Sequence, residues 1–175
     1  MKYFTKDYWL RLQDLSNSER NDREWEQLLV AYRENLSTLR SRLSPEAMAF
    51  FDDANVHDGH LAEFRIGQQS PLTPWDGSPD TEHPVTVQLT VRDATGHAAW
   101  LLKYSNVRRV VVDYPSEAEL FPIGGEGFGD WGYHELTDAG GGFLRHEVLF
   151  ATGATLLVEF GSIQVDRAAT IANGV

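Results

Sequence analysis

Apolar and polar residues alternate most cleanly in two stretches of this chain, and the remaining elements are read around them. Val85, Val87, Leu89 and Val91 point one way, while Thr86, Gln88, Thr90 and Arg92 point the other. That is the period of a strand with one buried face. The chain then turns at Asp93-Ala-Thr-Gly96 and returns through Trp100, Leu102 and Tyr104, with 107–113 as a further short strand or bent extension. Phe143 to Phe150 and Thr155 to Phe160 repeat the design around a turn at Ala151-Thr-Gly-Ala154, and 161–165 prolongs the second arm. Leu144, Val148 and Phe150 share one face there, as do Leu156, Val158 and Phe160.

The two hairpins are similar in sequence as well as in pattern. Val91-Arg-Asp-Ala-Thr-Gly96 answers Val148-Leu-Phe-Ala-Thr-Gly153, and Leu102-Lys-Tyr-Ser-Asn-Val107 answers Val158-Glu-Phe-Gly-Ser-Ile163. The match requires one extra residue in the first copy, between Gly96 and Tyr104. Two further strands are predicted, over 61–66 and 133–137.

The first third of the chain has the helical period instead. Thr5 caps a first helix running to about Leu15, and a polar break at 16–22 follows. Trp25, Leu28, Leu29, Tyr32, Leu36, Leu39 and Leu43 form the apolar stripe of a second helix over 22–43. Ser44 and Pro45 restart the chain as cap and first residue of a third helix ending near Asp53. Loops are expected over 67–84 and 121–132, one helical turn over 115–119, and a frayed tail over 168–175. Helices first and strands after, with no alternation of the two, predict an α+β fold in one domain. The N-terminal helices pack on an antiparallel sheet of about six or seven strands, curled into a sandwich or open barrel.

Composition narrows the functional classes. A formal charge of −11 opposes a phosphate backbone and argues against a nucleic-acid partner. It suits solubility, or attraction to a basic protein partner. No apolar run approaches the roughly 20 residues that span a bilayer, and no export signal opens the chain, so a cytoplasmic protein is expected. The absence of cysteine removes disulfides and thiolate chemistry. No cofactor is indicated.

Candidate chemistry is sparse. His57-Asp58-Gly59-His60 offers imidazole and carboxylate ligands to a divalent metal such as zinc, if the turn at Asp58-Gly59 converges them. The bland reading of the same residues is a turn with solvated histidines. Gly124-Gly-Glu-Gly-Phe-Gly129 is glycine-rich but lacks the following helix and lysine of a phosphate loop. His146 falls on an apolar face, where the first hairpin has Leu89. It is read as a buried, hydrogen-bonded histidine or as a polar group lining a cavity. Trp75, Phe128 and Trp131 lie in the predicted loops, either folded back onto the ends of the sheet or displayed as a binding patch.

Met1-Lys-Tyr-Phe-Thr-Lys-Asp7 resembles the opening of a group of uncharacterised bacterial proteins that begin Met-(Lys/Arg)-Tyr-Phe-Thr. The likeness extends to His57-Asp58 ahead of a strand and to Val158-Glu-Phe160 ahead of Ile163. It implies a bacterial source and the domain outline, with no activity attached. In size, charge and architecture the chain is also similar to small acidic immunity proteins. A non-enzymatic interaction protein of that kind is the leading expectation. A small-molecule-binding β domain is the alternative, and a metal-dependent hydrolase at His57, Asp58 and His60 stands behind both.

Overall fold

The computed structural model describes residues 1–12, 18–54, 56–68, 84–114 and 127–169. Three helices come first: α1 (Lys6–Leu12), α2 (Ser18–Leu39) and α3 (Pro45–Asp53). Six strands follow: β1 (Gly59–Gln68), β2 (Val85–Arg92), β3 (Ala98–Asp113), β4 (Asp130–Gly140), β5 (Phe143–Phe150) and β6 (Thr155–Ala169). Every pairing is antiparallel, and the strands run round a closed ring in the order β1-β2-β3-β6-β5-β4. The α+β class with an antiparallel sheet therefore holds. No helix among the described residues is long and apolar enough to cross a membrane.

The helix signals act as their chemistry requires. Thr5 Oγ1 accepts from the Tyr8 N–H at 3.2 Å, and Ser44 Oγ accepts from the Ala47 N–H at 3.1 Å with Pro45 beginning α3. α2 ends at Leu39 and passes through a 3-10 turn at Arg40–Arg42, short of the expected Leu43. Pro45 disfavours helical backbone just before it, so Leu43 and Ser44 are already extended.

The strands differ from expectation mainly in length. β3 runs on through 107–113 as an extension and not as a separate short strand, β6 continues past 165, and the two pair from Ala98↔Ala169 to Asp113↔Thr155. Ala168 thus lies within β6, not in a tail. Within β3, Asn106 adopts φ 54° and packs against Gly161 of β6, where a Cβ would meet the Asn106 amide at 2.7 Å, and the register shifts just beyond, between Val107 and Arg109. Across Asn106 the buried positions of β3 step by three, from Tyr104 to Val107.

The pairing of β3 with β6 contains the sequence repeat. Tyr104 answers Phe160 and Val107 answers Ile163 in the aligned hairpins, and Tyr104 pairs with Ile163 while Val107 pairs with Phe160. Each residue faces its partner's counterpart, the self-complementary arrangement of a two-fold interface.

Closure is thin. β1 meets β4 through only two residue pairs, Gly59↔Trp131 and His60↔Asp130. Further along β4, α2 takes the place of a strand: Asn35 Nδ2 donates to the Leu136 carbonyl at 2.9 Å, and the Tyr32 hydroxyl accepts from the Leu136 N–H at 3.2 Å. The backbone N–H and carbonyl of Leu136 are thereby satisfied without a neighbouring strand.

Two buried carboxylates organise the outer face. Glu135, on β4, accepts from the backbone N–H groups of Lys2, Tyr3 and Phe4 and fastens the N-terminal segment to the sheet. On the paired β5 position, Glu147 meets the Met1 amine at 2.7 Å. Glu159, on β6, accepts from Arg108 at 2.9 Å and Arg145 at 2.7 Å. Burial pushes the Glu159 carboxyl up, but the two guanidiniums outweigh it and hold the group below the usual glutamate range.

Candidate functional site

Inside the ring, alternation brings three polar side chains together in an otherwise apolar core. Tyr104 from β3 and His146 from β5 are buried, and the Tyr104 hydroxyl lies 2.6 Å from His146 Nδ1. His146 Nε2 lies 3.2 Å from Nδ1 of His134, on β4. α3 covers this chain of contacts with two aromatic rings: Phe51 stands edge-on to His146 with centroids 5.0 Å apart, and Phe50 does the same to His134 at 5.1 Å. Burial drives His134 down to about 4 and His146 well below the ordinary histidine range, the His134 ring adding to the second shift. Burial likewise raises Tyr104 well above a free phenol. All three groups are therefore neutral at pH 7.

His134 also reaches a pocket. A recess of about 380 Å³ lies between α2, the end of α3 and β4, with the rings of Phe4, Trp25, Tyr32, Phe51 and Tyr133 among its walls. His134 and His57 line it too, and Arg33 and Asp52 stand at its lining 3.7 Å apart. Local packing shapes the walls. Trp9 lies so close over Gly132 that a Cβ there would fall 1.9 Å from its ring, and Tyr133 stacks with His57 at a 20° interplanar angle. His57 Nδ1 donates to the Gly132 carbonyl at 2.9 Å.

His146 is thus a buried histidine with two hydrogen-bonding neighbours and, through His134, an extension of the pocket's lining. Its place on an apolar face was legible in the sequence. His134 carries no such mark, because a histidine in a short predicted strand gives no periodic signal. Its hydrogen-bonding partner, His146, lies on the neighbouring strand β5, and Tyr104 joins the chain through His146 from a different hairpin.

The metal trio does not assemble. His57 is engaged with Gly132 and sits 3.5 Å from Asp58, whereas His60 faces Asp130 at 3.1 Å. Among the described residues no group of three or more His, Asp or Glu side chains could hold a metal ion. The turn accounts for the motif: Asp58 adopts φ 59°, and Gly59 has no room for a side chain.

The loop aromatics also part company. Trp131 takes the folded-back reading and not the binding patch: it lies in β4 beside its first residue, is fully buried, and packs against Phe150 and His134. The glycine-rich stretch ends sooner than expected, so Trp131 belongs to the core and offers no surface to a partner. Its indole N–H has no hydrogen-bond partner among the described residues. Phe128 is half-buried against Phe150, with Tyr114 edge-on to it. Trp75 lies outside the described residues, as do 115–126, which include the predicted helical turn and part of the glycine stretch.

His146, buried, and His134, half-buried beside it, set an acid response. Because the folded state takes up a proton at His134 only near pH 4, and at His146 only well below the ordinary value of 6.5, the unfolded state binds more protons from about pH 6.5 downward. Their contribution is full above about pH 6.5 and is lost as pH falls below it. Thermal melts across this range should show the midpoint falling already below about pH 6.5, with Glu159 adding its loss only below the ordinary glutamate range. A midpoint flat down to about pH 4.5 would contradict a neutral His134–His146 pair in the folded state.

No family model, curated protein or solved structure matches this chain.

Proposed function

We propose that the chain is a small-molecule-binding β domain whose ligand enters the recess between α2, α3 and β4. The observation that carries this reading is an aromatic-walled pocket with a neutral imidazole, His134, in its lining. A volume of about 380 Å³ falls within the usual range for small-ligand sites, roughly 300–1,000 Å³. Apolar walls with a few directed polar groups are what such sites use to gain affinity and orientation.

A protein-interaction role of the immunity kind, with a basic partner, keeps its support in the net charge of −11. It has lost one of its proposed anchors, since Trp131 is internal.

Ligand-observed NMR with a library of aromatic fragments tests the ligand reading. Leu29 lines the recess from α2, so Leu29→Trp places an indole in the space a ligand would fill. Fragments should bind the natural chain and bind the variant at least about tenfold more weakly, the loss of roughly 1.4 kcal/mol of contact. Fragment binding that Leu29→Trp leaves unchanged, or no binding at all, would count against this site.

A further inference from the structure

Resting on that reading, the chain of contacts behind His134 determines what its pocket nitrogen can do. The Tyr104 hydroxyl is fully buried, and His146 Nδ1 is its hydrogen-bond partner among the described residues. Were the hydroxyl to accept a hydrogen from His146, its own proton would be left unpaired in an apolar interior, which is costly. As a donor it leaves only lone pairs unused. Tyr104 therefore donates to Nδ1, and neutral His146 carries its hydrogen on Nε2. That N–H donates in turn to Nδ1 of His134. Neutral His134 is left with its hydrogen on Nε2, an atom with no hydrogen-bond partner among the described residues, on a side chain that lines the pocket.

We infer that the pocket presents His134 Nε2–H as a fixed hydrogen-bond donor, and that its ligand is an uncharged planar aromatic molecule carrying an acceptor, a ring nitrogen or carbonyl oxygen, on the edge that meets His134. The rings of Phe4, Tyr32, Phe51 and Tyr133 account for the aromatic preference. Absence of net charge follows from the lining: Arg33 is balanced by Asp52 beside it, and His134 is neutral. A cationic or donor-edged molecule would set a hydrogen against a hydrogen at His134. Such mismatches discriminate more strongly than a change of size, because they leave polar groups unpaired.

Two measurements on the intact chain test this. Long-range proton–nitrogen NMR of histidine-labelled protein, without ligand, reads the tautomers directly. Both His134 and His146 should carry hydrogen on Nε2, and Tyr104→Phe, which removes the first donor, should shift them toward a mixture. Titrations with quinoline and with indole then compare an acceptor edge with a donor edge on flat rings of similar size. Quinoline should bind about tenfold more tightly, and Tyr104→Phe should shrink that preference. A His134 carrying hydrogen on Nδ1, or indole binding as well as quinoline, would overturn the donor assignment while leaving the pocket as a ligand site. Binding of neither probe would overturn the ligand class, and with no other aromatic fragment binding the functional reading would fail as well.

Discussion

Glu135→Ala should lower the unfolding free energy by about 4 kcal/mol, the largest effect expected of any polar residue in this chain. Glu135 is fully buried and accepts from three consecutive backbone N–H groups, those of Lys2, Tyr3 and Phe4. Hydrogen bonds to an ionised acceptor are worth more than neutral ones, and alanine would leave all three donors without a partner. The damage would spread beyond the backbone. Phe4 holds its ring against Trp25, Tyr32 and Tyr133, so an unfastened N-terminal segment also strips a wall from the pocket. Glu135→Gln should lie about midway, because one carboxylate oxygen becomes an amide that donates toward an N–H. Urea unfolding gives the free energies, and near-ultraviolet circular dichroism follows the aromatic cluster. An alanine variant within about 1 kcal/mol of the natural chain would mean that the segment is held by its aromatic rings alone.

Gly59→Ala is expected to cost about 3 kcal/mol or more, through backbone rather than side-chain conflict. A Cβ at this position would lie 2.2 Å from the Arg92 carbonyl oxygen and 2.8 Å from that of Val56. Neither can swing aside as a side-chain tip would. The Gly59 N–H donates to Val56 at 2.9 Å, the Asp58 N–H donates to the Trp131 carbonyl at 2.9 Å, and Gly59↔Trp131 is half of the pairing between β1 and β4. The clash therefore falls on the narrowest part of the ring. Hydrogen exchange should speed up at Asp58 and along the start of β4 before it does so in β3 and β6, whose pairing is far longer. Uniform exchange in the variant, with an unchanged melting temperature, would show that the seam accommodates the methyl group.

Local signals made most elements legible. Ser44-Pro45 and the apolar stripe from Trp25 to Leu39 set α3 and the body of α2, and strict alternation set β2 and β5 residue for residue. The misreadings occurred where a distant contact decides. β3 and β6 run farther than their own patterns carry them because each supplies the other's hydrogen bonds along Ala98–Asp113 and Thr155–Ala169. β4 begins at Asp130 because Trp131 is drawn inside against Phe150. The ring's closure depends on two pairs between segments that have no mutual pattern. The site was half legible for the same reason: His146 stood out against its apolar neighbours, while His134, Tyr104 and the helical wall join it only through tertiary structure.

The self-matching pair of hairpins carries a consequence for how this protein can change over generations. Its halves are equivalent in pairing, yet the second has His146 where the first has Leu89, and both side chains are buried. The polar relay is an asymmetry laid on two matched hairpins. Removing both members of a buried hydrogen bond in favour of apolar groups of similar shape is nearly neutral for stability, whereas removing one is not. The relay and the architecture can therefore be inherited apart: a lineage that exchanged Tyr104, His146 and His134 together for apolar residues of similar shape would keep the ring without its polar interior.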